Sequence, residues 1–418
     1  MTRRRRNAIL RSPLASGALL LASLCAFVAL CVVQHAPMAD ALVYRAEGAA
    51  VLNGTDLYGF TVTEWRLPAT YPPFAALLFV PTAWLPLSAL KAAFVLGNTA
   101  LLALLVHLSA RLTGTHRLPT PTLLTATALA LWLEPVFQTV LFGQINLALA
   151  CLVLWDLTRP PGAPGKGIAL GIATGVKLTP AVFIAYLLLT RRVREGVTAL
   201  AAFSTTVTIG ALALPAASAD FWTRRLYETE RVGKAWIVDN QSLQGLVARA
   251  LGDPSPGLAW AVPATATAFL GLWLARRAGE DRWGVPLTAL TALLVCPISW
   301  SHHWVWCVPL LALLWTEGHH RYAALVATAF TTRTLWLIPH EGTRDLQLPW
   351  WQQPLTSAYA LLTFALFALV TVSGPAPTSV GVFGKSRAAP TAHGTHRAPR
   401  APRAPQAPHR TSETPLSH

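Results

Sequence analysis

Short polar clusters interrupt the apolar segments of this chain, and they contain the residue types that acid–base and anion-binding chemistry needs. A carboxylate can accept a proton from a reacting hydroxyl, lysine and histidine can stabilise a negative charge, and amides can bind hydroxyl groups. A chain that only had to remain in a bilayer would not require such groups. The clusters are Asp40, Gly143-Gln144-Ile145-Asn146, Lys177-Leu178-Thr179-Pro180, Asn240-Gln241-Ser242 and Trp300-Ser301-His302-His303-Trp304.

Asp40 follows the first apolar segment by a few residues, which places it close to the bilayer surface. A carboxylate in this position could take a proton from an acceptor hydroxyl. Asp40 also begins the stretch Asp40–Asn53, whose apolar residues recur near helical spacing and predict an amphipathic helix lying on the membrane surface. Capping the start of that helix is therefore an alternative role for the carboxylate.

Lys177 lies between two apolar segments, Gly167–Val176 and Ala181–Leu189, which are each too short for an ordinary crossing. We expect a pair of short or broken helices that meet at Lys177–Pro180, a backbone that must be covered by protein or a water-filled cavity. A lone cation at this depth is costly unless it faces a partner. A phosphate is the natural partner, aided by amides of the following half-helix. A lysine that extends from a helix end toward water is the alternative.

The pair His302-His303 could bind phosphate, orient a substrate or make structural hydrogen bonds. Adjacent residues of a helix point in different directions, so we expect only one ring to reach a cavity. The neighbouring tryptophans fit an interfacial belt better than a sugar-stacking role. No Asp, Glu or Cys lies nearby at supporting spacing, which argues against a metal site. The candidate amide ligands for sugar hydroxyls, with helix capping as the alternative, are Gln144, Asn146, Asn240 and Gln241.

Membrane helices must position these residues. The 418 residues are 53% hydrophobic and 12% charged, whereas soluble domains carry about 25% charged residues. Basic breaks alternate along the chain with breaks of mixed charge that are rich in aromatic residues. Because positive residues mark cytoplasmic loops, this alternation predicts about 12 crossings, two cytoplasmic termini and extracytoplasmic polar clusters.

We therefore expect an all-α, polytopic helical bundle over residues 1–372. Within it, residues 34–70 form the first extracytoplasmic loop and residues 215–257 a large one. Residues 373–418 are rich in Pro, Ala and Arg and predict a disordered basic cytoplasmic tail. Much of the basic charge behind the net +15 lies at the N-terminus and in this tail, so it indicates topology and lipid contact rather than nucleic-acid binding. The five cysteines have no metal spacing and fit buried thiols.

Taken together, successive segments of the chain resemble glycosyltransferase family 87, the actinobacterial polyprenyl-phosphate-mannose-dependent α-1,2-mannosyltransferases. The resemblance covers residues 35–315 and implies the C-type glycosyltransferase fold. The segments are DALVYRAEGAAVLNGTDLYG, TYPPFAALLFVPTAWLP, GQINLALACLVLWDL, GIATGVKLTPAVFIAYLLLTRR, RVGKAWIVDNQSLQGLVAR and PISWSHHWVWCVPLL.

The resemblance implies a hexosyltransferase of the cell membrane that transfers mannose with inversion on the extracytoplasmic side. It places the catalytic base on Asp40 and the donor phosphate near Lys177, His302 and His303. The implied partners are a polyprenyl-phosphate-mannose donor, a lipid or glycan acceptor and membrane lipids, without nucleic acid. A monophosphate donor requires no metal or other cofactor. The residues expected to bind substrate are Arg45, Tyr71, Gln144, Asn146, Asn240 and Gln241.

Two alternatives remain open at this stage. The same fold could use another polyprenyl-phosphate sugar, such as arabinose or glucose. A transporter or flippase of lipid-linked sugars would also contain broken helices near the midplane of the membrane. Transporters often show internal repeats, whereas no repeat is visible in this sequence.

Overall fold

A computed structural model of the chain describes residues 12–338, 340 and 342–373. The predicted tail beyond residue 373 lies outside the described residues. The first half of the chain contains a two-residue antiparallel pair, β1 (Thr61–Val62) and β2 (Leu67–Pro68), and the helices α1 (Pro13–Val33), α2 (Ala39–Asn53), α3 (Pro73–Trp84), α4 (Leu87–Leu112), α5 (Thr120–Ala130), α6 (Glu134–Phe142), α7 (Asn146–Leu157), α8 (Ile168–Val176) and α9 (Ala181–Leu189).

The second half continues the helical architecture. Short 3₁₀ or π turns occur at Phe221–Arg225, Thr229–Val232, Ser301–Trp306, Thr334–Leu337 and Arg344–Gln347. The helices are α10 (Val193–Ala213), α11 (Pro215–Asp220), α12 (Leu243–Leu251), α13 (Leu258–Arg277), α14 (Asp281–Val295), α15 (Cys307–Thr316), α16 (His320–Thr331), α17 (Gln353–Thr356) and α18 (Ala358–Ser373).

Four helices of the described residues, α1, α4, α10 and α13, are long and apolar enough to cross a bilayer. A fifth span results if α5 and α6, which are bent by 78° at their junction, count as one. The chain is therefore a multi-pass helical membrane protein by the length and composition of its helices. The predicted 12 crossings and cytoplasmic termini are not confirmed, since several predicted crossings are helices well below the about 20 residues that span a bilayer.

The predicted break at Lys177 is confirmed. α8 and α9 contain nine residues each, and Lys177 ends α8 in an extended conformation with φ −148° and ψ 130°. Pro180 lacks an amide hydrogen and disfavours the helical conformation at Thr179, so α8 cannot continue into α9. Lys177 therefore lies in the short non-helical segment between the two half-helices, inside the protein.

The predicted helix of the first loop is also present, and protein covers one of its faces. α2 begins at Ala39, and Asp40 lies in its first turn without capping the helix. The capping alternative for Asp40 is therefore not borne out. Gly48 allows α2 to pack against α3, because a Cβ there would collide with the backbone of Phe79. This packing turns one side of α2 toward the protein interior.

Glycine at every fourth position brings α8 against α10. Gly167, Gly171 and Gly175 share one face, and a Cβ on Gly171 would overlap the carbonyl oxygen of Ala199. This spacing of small residues is a common way for membrane helices to pack closely. The close contact holds α8, and therefore Lys177 at its end, against a full-length span.

We predict that Gly171→Ala destabilises the protein by about 1–3 kcal/mol, because the added methyl group must push the two helices apart. Thermal unfolding in detergent micelles, followed by tryptophan fluorescence, measures this effect. Gly97→Ala is the matched control, since Gly97 is also helical and has no atom within 4 Å of its added Cβ. Equal melting temperatures for the two variants would contradict the proposed helix contact.

Candidate active site

Asp40 lies beside a hydrogen-bonded group of two tyrosines and a glutamine. Tyr44 follows Asp40 by one turn of α2, and its hydroxyl donates to Gln144 Oε1 at 2.8 Å. The Tyr71 hydroxyl donates to the same oxygen at 3.2 Å and lies 3.0 Å from the Tyr44 hydroxyl. Because the tyrosines occupy its oxygen, the Gln144 amide is left with its NH₂ group for Asp40, and this amide lowers the pKa of the Asp40 carboxyl. The network thereby holds the Gln144 amide beside the acid.

Lys177 contacts residues from three other parts of the chain. Its Nζ lies 3.2 Å from Asn146 Oδ1 and 3.0 Å from His303 Nε2, and it lies over the Tyr71 ring at 5.6 Å from the centroid. An ammonium group can only donate. His303 Nε2 is therefore the acceptor when Lys177 is charged, which leaves the proton of the neutral ring on Nδ1.

The residues around Asp40 and those around Lys177 form one site, and the Lys177 charge makes a small contribution that lowers the pKa of Asp40. Tyr71 connects them, since its hydroxyl contacts Gln144 and its ring faces Lys177. We call the whole set the polar cluster. Its members are Asp40, Tyr44, Tyr71, Gln144, Asn146, Lys177 and His303.

The pKa of Asp40 is raised from 3.8 to about 6, although its side chain remains partly exposed. Removal from water is the largest cause, and the Gln144 hydrogen bond and the Lys177 charge lower the pKa by less. A carboxylate with a pKa near 6 is a stronger base than an ordinary aspartate and is still ionised at neutral pH. Asp40 therefore has the properties of a general base.

The two histidines have different surroundings, as expected for adjacent residues. His303 contacts Lys177, whereas the His302 ring packs edge-on against Phe142 with centroids 5.5 Å apart. The His302 carbonyl accepts hydrogen bonds from Thr139 Oγ1 at 2.9 Å and Asn146 Nδ2 at 3.0 Å. Neither ring nitrogen of His302 has a partner among the described residues. The backbone of His302 thus anchors Asn146, while His303 faces the lysine.

Asn240 and Gln241 are 0% exposed, and backbone groups occupy their amides. Asn240 Nδ2 donates to Ala235 and Pro297 carbonyls at 2.7 and 3.0 Å, and its Oδ1 accepts from Ser299 N at 2.9 Å. Gln241 donates to two carbonyls and accepts from the Tyr359 backbone. In this structure the pair holds the large loop of residues 215–257 in place, and contact with substrate stays a prediction for both residues.

Asp239 is a second acid that the sequence reasoning missed, and it is bonded to the segment that carries His302 and His303. It accepts a hydrogen bond from Ser301 N at 3.1 Å. The pKa of Asp239 is raised from 3.8 to about 6. Burial is the main cause, hydrogen bonds from Ser301 oppose it, and the negative charge of Asp40 adds a smaller increase. Its position directly before Asn240-Gln241 was the available signal. Tyr44 was missed too, although it lies one turn from Asp40 on the same helix.

Arg45 lies on the same helix as Asp40. Arg45 is partly exposed on α2 and has no hydrogen bond or ion pair with the described residues, so its binding role stays a prediction.

A small cavity lies beside Lys177. Its volume is about 50 Å³, enough for a few water molecules. Its walls are mostly apolar and come from α7, α9, α14 and the His303 segment.

Comparison with known proteins decides the family. The model of glycosyltransferase family 87 matches residues 69–298. A Mycobacterium tuberculosis protein named polyprenol-phosphate-mannose-dependent alpha-(1-2)-phosphatidylinositol mannoside mannosyltransferase is 33% identical over 360 residues, which cover 79% of this chain and 83% of that protein. The chain belongs to glycosyltransferase family 87. It is therefore a membrane glycosyltransferase, and the transporter alternative is set aside.

Two further similarities describe the relatives of this family 87 enzyme. A second M. tuberculosis protein, named for a phosphatidylinositol pentamannoside, is 30% identical over 351 residues that cover 80% of this chain and 81% of that protein. Among solved structures, ArnT from Cupriavidus metallidurans bound to undecaprenyl phosphate aligns with 83% of this chain and 76% of its own at 16% identity and a TM-score of 0.37. The C-type glycosyltransferase fold stays a prediction, because that TM-score is too low to support it.

Glu47 of the family 87 enzyme is a buried acid two turns after Asp40 on α2. Neither carboxyl oxygen has a hydrogen-bond partner among the described residues. The pKa of Glu47 is raised from 4.5 to about 8. Burial is the main cause, the Thr70 backbone and the Arg231 charge oppose it, and the Asp40 charge adds a smaller increase. Glu47 is therefore protonated at neutral pH, which spares the site a third negative charge.

We predict that the melting temperature falls as the pH rises from about 5 to 8, because the folded state holds the Glu47 proton more tightly than the unfolded state does. Glu47→Gln should reduce this fall and be more stable than the parent at pH 8. The readout is thermal unfolding in detergent across that pH range. Glu64→Gln removes an exposed acid of the same loop and should keep the parent slope. An unchanged slope in Glu47→Gln would show that Glu47 is ionised at neutral pH.

Proposed function

We propose that this enzyme transfers a mannosyl residue from polyprenyl-phosphate-mannose to a hydroxyl of a lipid-anchored or cell-envelope glycan, with inversion, on the extracytoplasmic side of the cell membrane. The observation that carries the proposal is the placement of Asp40 and Lys177 in a single polar cluster. The names of the mycobacterial relatives support the choice of donor. They name two different phosphatidylinositol mannoside acceptors, so the proposal leaves the acceptor at the level of its class.

Lys177 and His303 fit the donor phosphate. Lys177 ends one half-helix, and the N-terminal amides of α9 begin a few residues later. Positive charge and helix amides together favour an anion at such a break. Entering phosphate would replace Asn146 or His303 as a partner of the Lys177 ammonium group. His303 can then donate to a phosphate oxygen once its ring nitrogen is protonated or its tautomer is reversed.

The apolar walls beside Lys177 fit the first isoprene units of the lipid. Leu149, Val153, Phe183 and Leu293 line the small cavity that begins at the lysine. An isoprenoid phosphate needs this combination, since its charged group must be neutralised next to a hydrocarbon surface. We propose that the lipid chain widens this cavity into a groove between α7, α9 and α14.

The proposed reaction is a single displacement. Asp40 accepts the proton of the acceptor hydroxyl while that oxygen forms its bond to the anomeric carbon. The bond between the anomeric carbon and the phosphate oxygen breaks, and its electron pair leaves with polyprenyl phosphate. Lys177 stabilises the charge that develops on the leaving group. A monophosphate leaving group with one such cation needs no bridging metal, so we propose that the reaction runs without one.

We predict that Asp40→Asn lowers mannosyl transfer by at least about 100-fold, because asparagine keeps the shape of the side chain and cannot accept the proton. The assay incubates purified protein with polyprenyl-phosphate-mannose and a panel of lipid acceptors, with and without a chelator, and detects products by mass spectrometry. Donors that carry arabinose or glucose run in parallel, and preference for either would replace mannose in the proposal.

The control for this assay is Asp253→Asn, which changes an exposed aspartate of the large outer loop and should keep the parent rate. Donor binding by Asp40→Asn, measured separately, should stay within a few-fold of the parent. Retention of most of the transferase activity in Asp40→Asn would remove Asp40 from the role of base. Loss of activity with the chelator would contradict the metal-free mechanism.

We also predict that the transfer rate falls about tenfold for each pH unit below 6, because the pKa of Asp40 is about 6 and its protonated form is not a base. Above that pH the rate should level off until another group titrates. The measurement is kcat/KM for the polyprenyl-phosphate-mannose donor between pH 4.5 and 8, with the acceptor at a saturating concentration. A flat profile through pH 6 would show that a different group accepts the proton.

A further inference from the structure

A second, larger cavity lies at the far ends of the helices that hold the polar cluster. Its volume is about 650 Å³. α7, α8, α9 and α14 each have one end near Lys177 and the other end near this cavity. α8 and α9 are nine residues long, so the two sites lie about 14 Å apart along those helices. The second cavity, called the basic cavity below, is therefore separate from the catalytic site.

The inner wall of the basic cavity is a closed network of ion pairs. Arg192 Nη1 donates to both carboxylate oxygens of Asp281 at 2.9 and 2.8 Å, and the Tyr186 hydroxyl donates to the same group at 2.7 Å. Arg192 also pairs with Glu195, and Lys166 Nζ lies 3.7 Å from that carboxylate. The two cations and the two carboxylates neutralise one another, so the inner wall contributes little net charge.

Two arginines at the mouth of the cavity, which we call its rim, have no acidic partner among the described residues. Arg191 follows α9, Arg276 lies in the last turn of α13, and both are exposed. Neither forms an ion pair with an acid of the described chain, and the remaining acid of the lining, Glu280, pairs with Arg282. Arg191 has a φ of 63°, a conformation at a helix end that usually selects glycine. The rim is thus a prepared site for an anion.

Exposed aromatic residues place this rim at the surface of the bilayer. Trp155 on α7 and Trp273 on α13 are 45% and 48% exposed, and Arg159 and Arg277 lie over their rings at 4.9 and 5.0 Å. Tryptophans on the outside of membrane helices collect at the level of the lipid headgroups. Exposed Leu189 adds an apolar surface to the lining. A ligand with both a phosphate and a hydrocarbon part fits this combination better than a soluble anion does.

We propose that the basic cavity binds the headgroup of an anionic phospholipid, with its phosphate between Arg191 and Arg276 and its glycerol region against Leu189. Guanidinium groups bind phosphate oxygens through paired charge-assisted hydrogen bonds, and basic pockets between membrane helices are a known type of lipid site. The volume lies within the range of about 300–1,000 Å³ that is usual for ligand pockets. A bound lipid would connect α9 to α13 and steady the half-helices that end at Lys177.

Native mass spectrometry of the full-length protein in detergent, titrated with phosphatidylglycerol or phosphatidylcholine, tests this proposal. We expect phosphatidylglycerol to bind more tightly, and the double variant Arg191→Gln/Arg276→Gln to weaken it by at least about tenfold. The double variant Arg194→Gln/Arg277→Gln is the matched control, because it removes two nearby arginines, one in the first turn of α10 and one in the last turn of α13, that do not line the cavity. It should bind like the parent.

Equal loss of binding in both double variants would reduce the effect to general charge and overturn the proposed site. Displacement of the lipid by millimolar glycerol phosphate would show that the cavity takes a soluble phosphate, which overturns the lipid assignment. If the double variant is misfolded, as judged by its melting temperature, the single variants Arg191→Gln and Arg276→Gln repeat the titration. None of these outcomes depends on transferase activity, so failure here leaves the proposed function unchanged.

Discussion

A lysine at a break between two half-helices inside a membrane protein must have partners, and the arrangement of the site follows from this constraint. A charged group loses its hydration on burial, which is costly unless dipoles or opposite charges replace water. Lys177 obtains this compensation from the Asn146 oxygen, a His303 nitrogen and the Tyr71 ring. All of these partners are neutral groups. The positive charge is therefore solvated but not cancelled, and it remains available to a phosphate.

The Lys177 cation and the Asp40 acid form no ion pair with each other in the described residues, and neutral groups of the polar cluster surround both. A direct ion pair between Lys177 and Asp40 would lower the basicity of the carboxylate and occupy the ammonium group. Tyr44 and Tyr71 bind the Gln144 oxygen and so turn its NH₂ group toward Asp40. Burial raises the pKa of Asp40 by more than the Gln144 amide and the Lys177 charge lower it, so this pKa is about 6. Because only neutral groups lie against them, Asp40 keeps the basicity that a proton acceptor needs and Lys177 keeps the charge that a phosphate site needs.

The same helices connect two faces of the molecule. At one end of α7, α8, α9 and α14 is the polar cluster, and at the other end are the ion pairs of Arg192 with Asp281 and Glu195. The close contact of α8 with α10, which rests on Gly171 and Gly175, fixes the half-helix between them. A helix that is too short to span the bilayer can be stable here because protein covers its ends and one face.

The sequence by itself determined the helical membrane class, the family and the break at Lys177, because composition, motif order and proline position can be read without knowing how the chain packs. It also singled out Asp40, whose role as base stays a prediction. Only the tertiary structure decided which side chains meet. It bonded Tyr44 to Gln144 and Asp239 to Ser301, gave His303 and His302 different partners, and used the Asn240 and Gln241 amides to hold a loop. Most of these roles depend on contacts between residues far apart in the sequence, as between Tyr44 and Gln144, which are 100 positions apart. No local pattern encodes these distances, because they result from how the helices pack.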